Sequence, residues 1–265
     1  MFVAFNITDF SVFNTKEYFD HGIVFYDGCA ADVEDSLKAY ITQRGEIDAK
    51  SLMNDWFPSV DANVFISHAH GNQKQAVALA GWLNKEFGLK PFVDSCVWGY
   101  ANKLLKIIDK DYCSNEKPNS YDYEARNYST SHVHVMLMNA LTKMIDRCET
   151  VFFLNSEKAI YKLDEIKTGT LSPWIFNEIE TTRTIRMRIP QRPKLKMFSV
   201  ERLNESIDDS LKVSYTLTLD HMVPLSQNGM TTWKKKGFRG EAAFDALYNI
   251  YPKTIKQLIR RYYGR

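Results

Sequence analysis

Glu178 stands four residues after Trp174 in the run Ser172–Pro173–Trp174–Ile175–Phe176–Asn177–Glu178. Residues four apart share one face of a helix. A carboxylate beside an indole suits one task well, the stabilisation of positive charge developing on a sugar carbon. Glycoside chemistry uses such a carboxylate as nucleophile or ion-pair partner of an oxocarbenium-like transition state. A second acid ordinarily protonates the leaving group, and no obvious Glu/Asp pair accompanies Glu178. One carboxylate suffices where the leaving group is a pyridinium that departs neutral, as nicotinamide departs from NAD. The structural alternative makes Trp174 a core anchor and Glu178 a surface carboxylate favoured by the dipole at a helix start.

A second constellation is Ser67–His68–Ala69–His70, with Asp94 and Trp98 further on. The His-x-His pair after an apolar run resembles the start of the metallo-β-lactamase pattern H-x-H-x-D-H. Gly71, Asn72 and Gln73 follow here, so the Asp and the third His are missing. His132 and His134 form another such pair, but on a helix they point about 200° apart and cannot share one metal. A metal-dependent hydrolase using His68 and His70 is therefore the third-ranked reading, and no metal is expected. Ser67 lacks the G-x-S-x-G surroundings of a nucleophile elbow. No GxxxxGK[ST] or GxGxxG motif supports a phosphate-cradling loop.

These residues need a scaffold. Asn63–Asp94 reads as strand, turn, helix, strand. Val64–Ser67 is β-branched and aromatic, and Gly71–Asn72 is turn chemistry. Ala76, Leu79, Ala80, Leu83 and Phe87 recur at helical spacing, Gly88 fits a C-cap, and Lys90–Asp94 begins a second strand. Two strands joined by a helix imply a parallel pair, whose ligands bind beyond the carboxyl ends of the strands. Ser67, His68, His70 and Asp94 stand there. Trp98 and Gly99 read as a loop after the second strand, with a helix resuming at Lys103–Ile108. Residues 113–130 read as an excursion loop, a lid. Ser131–Cys148 is amphipathic, and Val151–Ser156 is a buried central strand. Ser172 before Pro173 starts the helix that carries Trp174 and Glu178.

Residues 1–60 read as an N-terminal extension packed on the core. It holds short strands at Phe2–Phe5 and Ile23–Tyr26, and helices over Asp32–Tyr40 and Ile47–Trp56, the latter capped by Glu46 or Asp48. Leu195–Val200 and Val213–Leu219 are strand candidates, and Gly240–Tyr251 and Thr254–Tyr263 helix candidates. The alternation defines an α/β parallel sheet. The 265 residues, 45% hydrophobic and 25% charged, allow one large domain with appendages. A net charge of +2 makes no call for nucleic acid. Four cysteines without a CxxC pair exclude a zinc knuckle and fit free thiols in a cytoplasm. No secretory signal or membrane-spanning run is read in the chain.

The ordered set of features resembles the Toll/interleukin-1 receptor (TIR) family. Asn63–His70 resembles its first box. Lys90–Tyr100 looks like the second strand and following loop, Val151–Ser156 like the third strand, and Trp174 with Glu178 like the W-x-x-x-E of TIR domains that cleave NAD. The likeness covers about residues 60–200, giving 61–200 as TIR domain and 201–265 as a C-terminal α/β extension completing it. It implies a flavodoxin-like parallel sheet flanked by helices. It further implies a free-standing prokaryotic protein similar to those of Thoeris antiphage systems, in which NAD is substrate rather than cofactor. By the same resemblance Glu178 is the catalytic carboxylate and Trp174 lines the nicotinamide side. Ser67, His68 and His70 contact ribose or phosphate, and Asp94 and Trp98 border the pocket. Lys103 is the candidate for pyrophosphate. Implied partners are further copies of the chain, through TIR contacts, and a separate effector that responds to the product. The alternative is a TIR interaction module without activity, in which the Trp98 loop makes homotypic contacts.

Overall fold

The computed structural model describes residues 1–27, 37–43, 46–57, 60–115, 120–162, 168–192 and 215–263. In chain order, β1 (Val3–Ile7), α1 (Lys16–Asp27), α2 (Ala49–Trp56) and β2 (Val64–His68) come first. They are followed by α3 (Gln73–Phe87), β3 (Pro91–Val93), α4 (Ser95–Tyr112), α5 (Tyr123–Arg147) and β4 (Thr150–Leu154). A small insertion carries β5 (Tyr161–Lys162) and β6 (Thr168–Thr170), and α6 (Pro173–Thr184) follows it. β7 (Tyr215–Leu217), β8 (Val223–Pro224), α7 (Gln227–Lys235), α8 (Glu241–Tyr248) and α9 (Pro252–Tyr263) close the described chain.

Five strands form one parallel sheet in the order β3-β2-β4-β1-β8. Every residue of β2 and β4 is buried, as a sheet covered on both faces requires. Alternation along the strands builds two cores. Phe65, Phe92, Val151 and Phe153 pack with α2, α4, α5 and α6. Val64, Ile66, Phe152 and Leu154 pack with α1, α3, α7, α8 and α9. The architecture is α/β, a parallel sheet flanked by helices, consistent with a flavodoxin-like fold. From β2 onward the chain pairs first with β3 on one side and then with β4 on the other, so the carboxyl edge between β3, β2 and β4 is a topological switch point.

The strand–helix–strand over Asn63–Asp94 stands as read. Gly88 takes φ 66° and its N–H bonds the carbonyl of Asn84 at 2.7 Å, closing α3. Asp48 caps α2, accepting from the N–H groups of Lys50 and Ser51. α6 begins at Pro173, with Ser172 accepting from the Ile175 N–H at 3.3 Å.

Several readings are corrected. The first strand is not part of an appendage on the core; β1 lies inside the sheet, between β4 and β8, and the C-terminal part supplies edge strand β8. Ile23–Tyr26 is helical, within α1. Gly22 and Gly81 let α1 and α3 approach so closely that a Cβ on Gly22 would stand 1.9 Å from the Val77 carbonyl oxygen. That packing overrides the β propensity of Ile-Val-Phe-Tyr. Asp94 has helical φ and ψ (−54°, −37°), so the chain passes straight from β3 into α4. Trp98 and Gly99 therefore sit in a first helical turn, not a loop. Residues 123–130 of the expected lid belong to α5, and 116–119 lie outside the described residues. Tyr215–Leu217 joins β5 and β6 in a separate antiparallel sheet rather than continuing the parallel one. Residues 37–40 form a 3₁₀ turn. The rest of the expected 32–40 helix, residues 32–36, and the expected 195–200 strand lie outside the described residues. Among the described residues, no helix is long and apolar enough to cross a membrane.

Candidate functional site

β2 ends on Ser67 and His68, Asp94 directly follows β3, and α6 brings Glu178, about one turn inside its start, onto the end of β2. The Ser67 hydroxyl donates to Oε2 of Glu178 at 2.6 Å, across 111 positions of sequence. The backbone N–H of His68 donates to Oδ2 of Asp94 at 3.2 Å. His68 Nδ1 lies 2.5 Å from Asp94 Oδ1, although the two are not aligned as a directed hydrogen bond. All four side chains are sealed, between 0% and 1% exposed. The Trp98 indole, one turn into α4, stacks on the His68 ring with centroids 5.3 Å apart and planes 17° apart.

The electrostatics follow from that burial. Desolvation raises the Glu178 carboxyl well above its ordinary range, the charge of Asp94 raises it further, and the Ser67 hydroxyl pulls it back. Asp94 is also raised, again by desolvation first, against hydrogen bonds from Glu178 and from the His68 and Ser95 backbone. The two groups interact, and burial holds both above the usual carboxylate range. Burial lowers His68 to about 4 against the attraction of Glu178, so its ring is neutral. His68 Nε2, Ser95 Oγ and Trp98 Nε1 are buried polar atoms without a hydrogen-bond partner in this cluster.

Above the cluster opens a cleft of about 780 Å³. His70, Trp98 and Trp174 line it; Ser67, His68, Asp94 and Glu178 lie beneath its floor. The fold thus brings all seven residues to one edge but separates an aromatic cleft from a buried acid cluster. His134 from α5 meets Trp174 edge-on at 5.1 Å and also lines the cleft. Lys158 lines it too, its ammonium donating to the Gly71 carbonyl at 3.2 Å. The Lys103 ammonium instead stands 6.0 Å from the Trp56 ring, and Lys103 does not line the cleft. Sequence reasoning missed His134 and Lys158. Lys158 was within reach of it, because Asn155–Ser156–Glu157–Lys158 follows the carboxyl end of β4, where ligands bind. His134 had no signal beyond a polar position on an amphipathic helix. His68 and His70 both pack on Trp98, and among the described residues no group of three or more His, Cys, Asp or Glu side chains is arranged to hold a metal ion.

No family model, curated protein or solved structure matches this chain.

Proposed function

We propose that the cleft binds NAD and that the protein cleaves the bond between nicotinamide and ribose, with Glu178 as the carboxylate that meets the sugar carbon. The observation that carries this reading is Glu178 itself: an acid held by Ser67 at the switch point of a parallel sheet, directly under a cleft walled by two tryptophans. Such clefts are where ligands of parallel α/β folds sit. Strongly perturbed buried acids of this kind cluster at functional sites. The resemblance of Trp174 and Glu178 to the W-x-x-x-E of NAD-cleaving TIR domains supports the same assignment.

In the mechanism, Trp98 and Trp174 present flat faces to the nicotinamide and adenine rings. Lys158 offers a cation to the pyrophosphate. Nicotinamide leaves neutral as positive charge grows on C1′, and the Glu178 carboxylate stabilises that charge or bonds to it. Water then gives ADP-ribose, and an internal nucleophile gives a cyclic product. Glu178 is sealed in the arrangement described and Trp98 stacks on the neighbouring His68 ring, so the proposed working state is one in which that ring leaves His68. Contact with a second copy of the chain is the proposed trigger. On the same resemblance, the product serves as a signal to a separate effector in antiphage defence.

A second reading, a TIR interaction module without activity, is favoured by one observation: Glu178 is 1% exposed. Nicotinamide release from NAD by the purified protein, over a range of protein concentrations, tests both. Release by wild type and its loss in Glu178→Gln is the expected result. Equal release by both, or none at any concentration, overturns the enzymatic reading.

A further inference from the structure

One face of α4 fronts the cleft and is built unlike the rest of that helix. Ser95, Trp98, Gly99 and Asn102 all line the cleft, and their spacing puts them on one side of α4. They climb from floor to rim: Ser95 is buried, Trp98 half-buried, and Gly99 and Asn102 exposed. A glycine inside a helix costs stability against alanine. At Gly22 and Gly81 a neighbouring backbone demands one. At Gly99 nothing does, because an added Cβ would meet no atom within 4 Å and its φ is not positive. What the bare backbone provides there is room for a ligand to lie against the helix. One turn further on, the Asn102 amide makes no hydrogen bond to any described residue. Gln73, another amide lining the cleft, is tied to the Tyr26 hydroxyl. At the foot of the face, Ser95 Oγ and Trp98 Nε1 are buried without a partner. Buried polar atoms are ordinarily satisfied, so this face has polar groups to offer a ligand.

We infer that this face of α4 is the adenine subsite, with Gly99 as the surface the ring lies against and Asn102 as the residue that selects adenine over other bases. The inference rests on the reading of the cleft as an NAD site and adds which end of the dinucleotide lies where. Cleavage at C1′ puts nicotinamide beside α6, because Trp174 and Glu178 share that helix. α4 starts from the end of β3, on the far side of β2 from β4. That leaves α4 for the base at the other end of the substrate. A side-chain amide carries a donor and an acceptor side by side. Adenine presents the complementary pair: its 6-amino group donates to Asn102 Oδ1, and its N7 accepts from Asn102 Nδ2. Hypoxanthine carries a carbonyl at the same position, so in either orientation of the amide one acceptor faces another.

The test measures nicotinamide release by the whole protein, over a range of protein concentrations, from NAD and from nicotinamide hypoxanthine dinucleotide. The two probes differ only in the base. A bidentate amide contact discriminates between bases by about 10- to 100-fold, so wild type should favour NAD in kcat/KM by that factor. Asn102→Ala should bring the ratio close to one by weakening NAD, with release from the hypoxanthine dinucleotide little changed. Asn102 is exposed, so the variant should fold, and thermal melting checks it. Gly99→Val places a side chain where the ring lies, in a residue type that a helix tolerates better than glycine. It should raise the KM for both dinucleotides about tenfold with little change in kcat. Equal kcat/KM for the two probes in wild type overturns this inference and leaves the NAD reading standing. So does an unchanged ratio in Asn102→Ala, or an unchanged KM in Gly99→Val. Release of nicotinamide from neither probe by wild type overturns both.

Discussion

The two edges of the sheet handle their acids in opposite ways, half-buried at one and sealed at the other. At the amino edge, Glu149 stands just before β4, and Arg192 grips Glu149 with two nitrogens at 2.9 and 2.6 Å and Asp245 with a third at 2.8 Å. The Tyr248 hydroxyl donates to Glu149 at 2.9 Å and lies 2.6 Å from the Thr150 hydroxyl. The carboxylates raise the Arg192 guanidinium above its ordinary value, so its charge is held firmly. At the carboxyl edge, no Lys or Arg among the described residues pairs with Asp94 or Glu178, and burial holds both above the usual carboxylate range. The amino edge compensates its charges with bidentate geometry and carries stability. The carboxyl edge leaves acid chemistry uncompensated, which costs stability and keeps a proton in play.

Breaking each edge should therefore give opposite outcomes. The largest effect is expected from Glu178→Gln, with nicotinamide release falling at least ~10³-fold, or about 4 kcal/mol of transition-state stabilisation. The same variant should melt no lower than wild type, because a buried acid without a cation has been neutralised. A clear fall in melting temperature would place Glu178 with the stabilising acids instead. At the amino edge, Arg192→Met leaves two acids without their cation and should destabilise by about 3 kcal/mol, measured by urea unfolding. Its turnover per folded molecule should stay near wild type.

A smaller effect separates the two ends of α6. His221 is held neutral there, its pKa lowered to about 4 chiefly by burial, with its Nε2 2.8 Å from the Thr182 hydroxyl. An unfolded histidine protonates near 6.5 and this one only near 4, so the unfolded chain binds more protons between those values. Stability from His221 is present above about pH 6.5 and is lost as pH falls toward 4, by up to ~1.4 kcal/mol per pH unit. His221→Gln should remove that slope from a pH series of melts. The raised Asp94–Glu178 pair acts in the opposite sense, losing stability as pH rises, and Glu178→Gln should steepen the acid-side loss. Smallest of the set, Lys158→Ala should raise the KM for NAD about tenfold, ~1.4 kcal/mol, with a lesser change in kcat. An unchanged KM would remove Lys158 from the proposed pyrophosphate site.

Local pattern carried a definite share of this protein. Apolar spacing and the Gly88 cap were enough for β2, α3 and β3, because helix and strand periods are written in neighbouring residues. Ser172–Pro173 was enough for the start of α6, since a cap and a fixed φ act within one turn. The strand-end rule also put Ser67, His68, His70 and Asp94 at one edge. Tertiary structure decided the rest. Ile23–Tyr26 became helical only because Gly22 meets Gly81 on another element. The first strand entered the sheet between β4 and β8, a choice made by pairing partners far along the chain. The acid pair could not be read from sequence, because Asp94 and Glu178 lie on separate elements and neither carries a mark of the other. Burial then set their proton, and no spacing of residues encodes how much water a folded chain excludes.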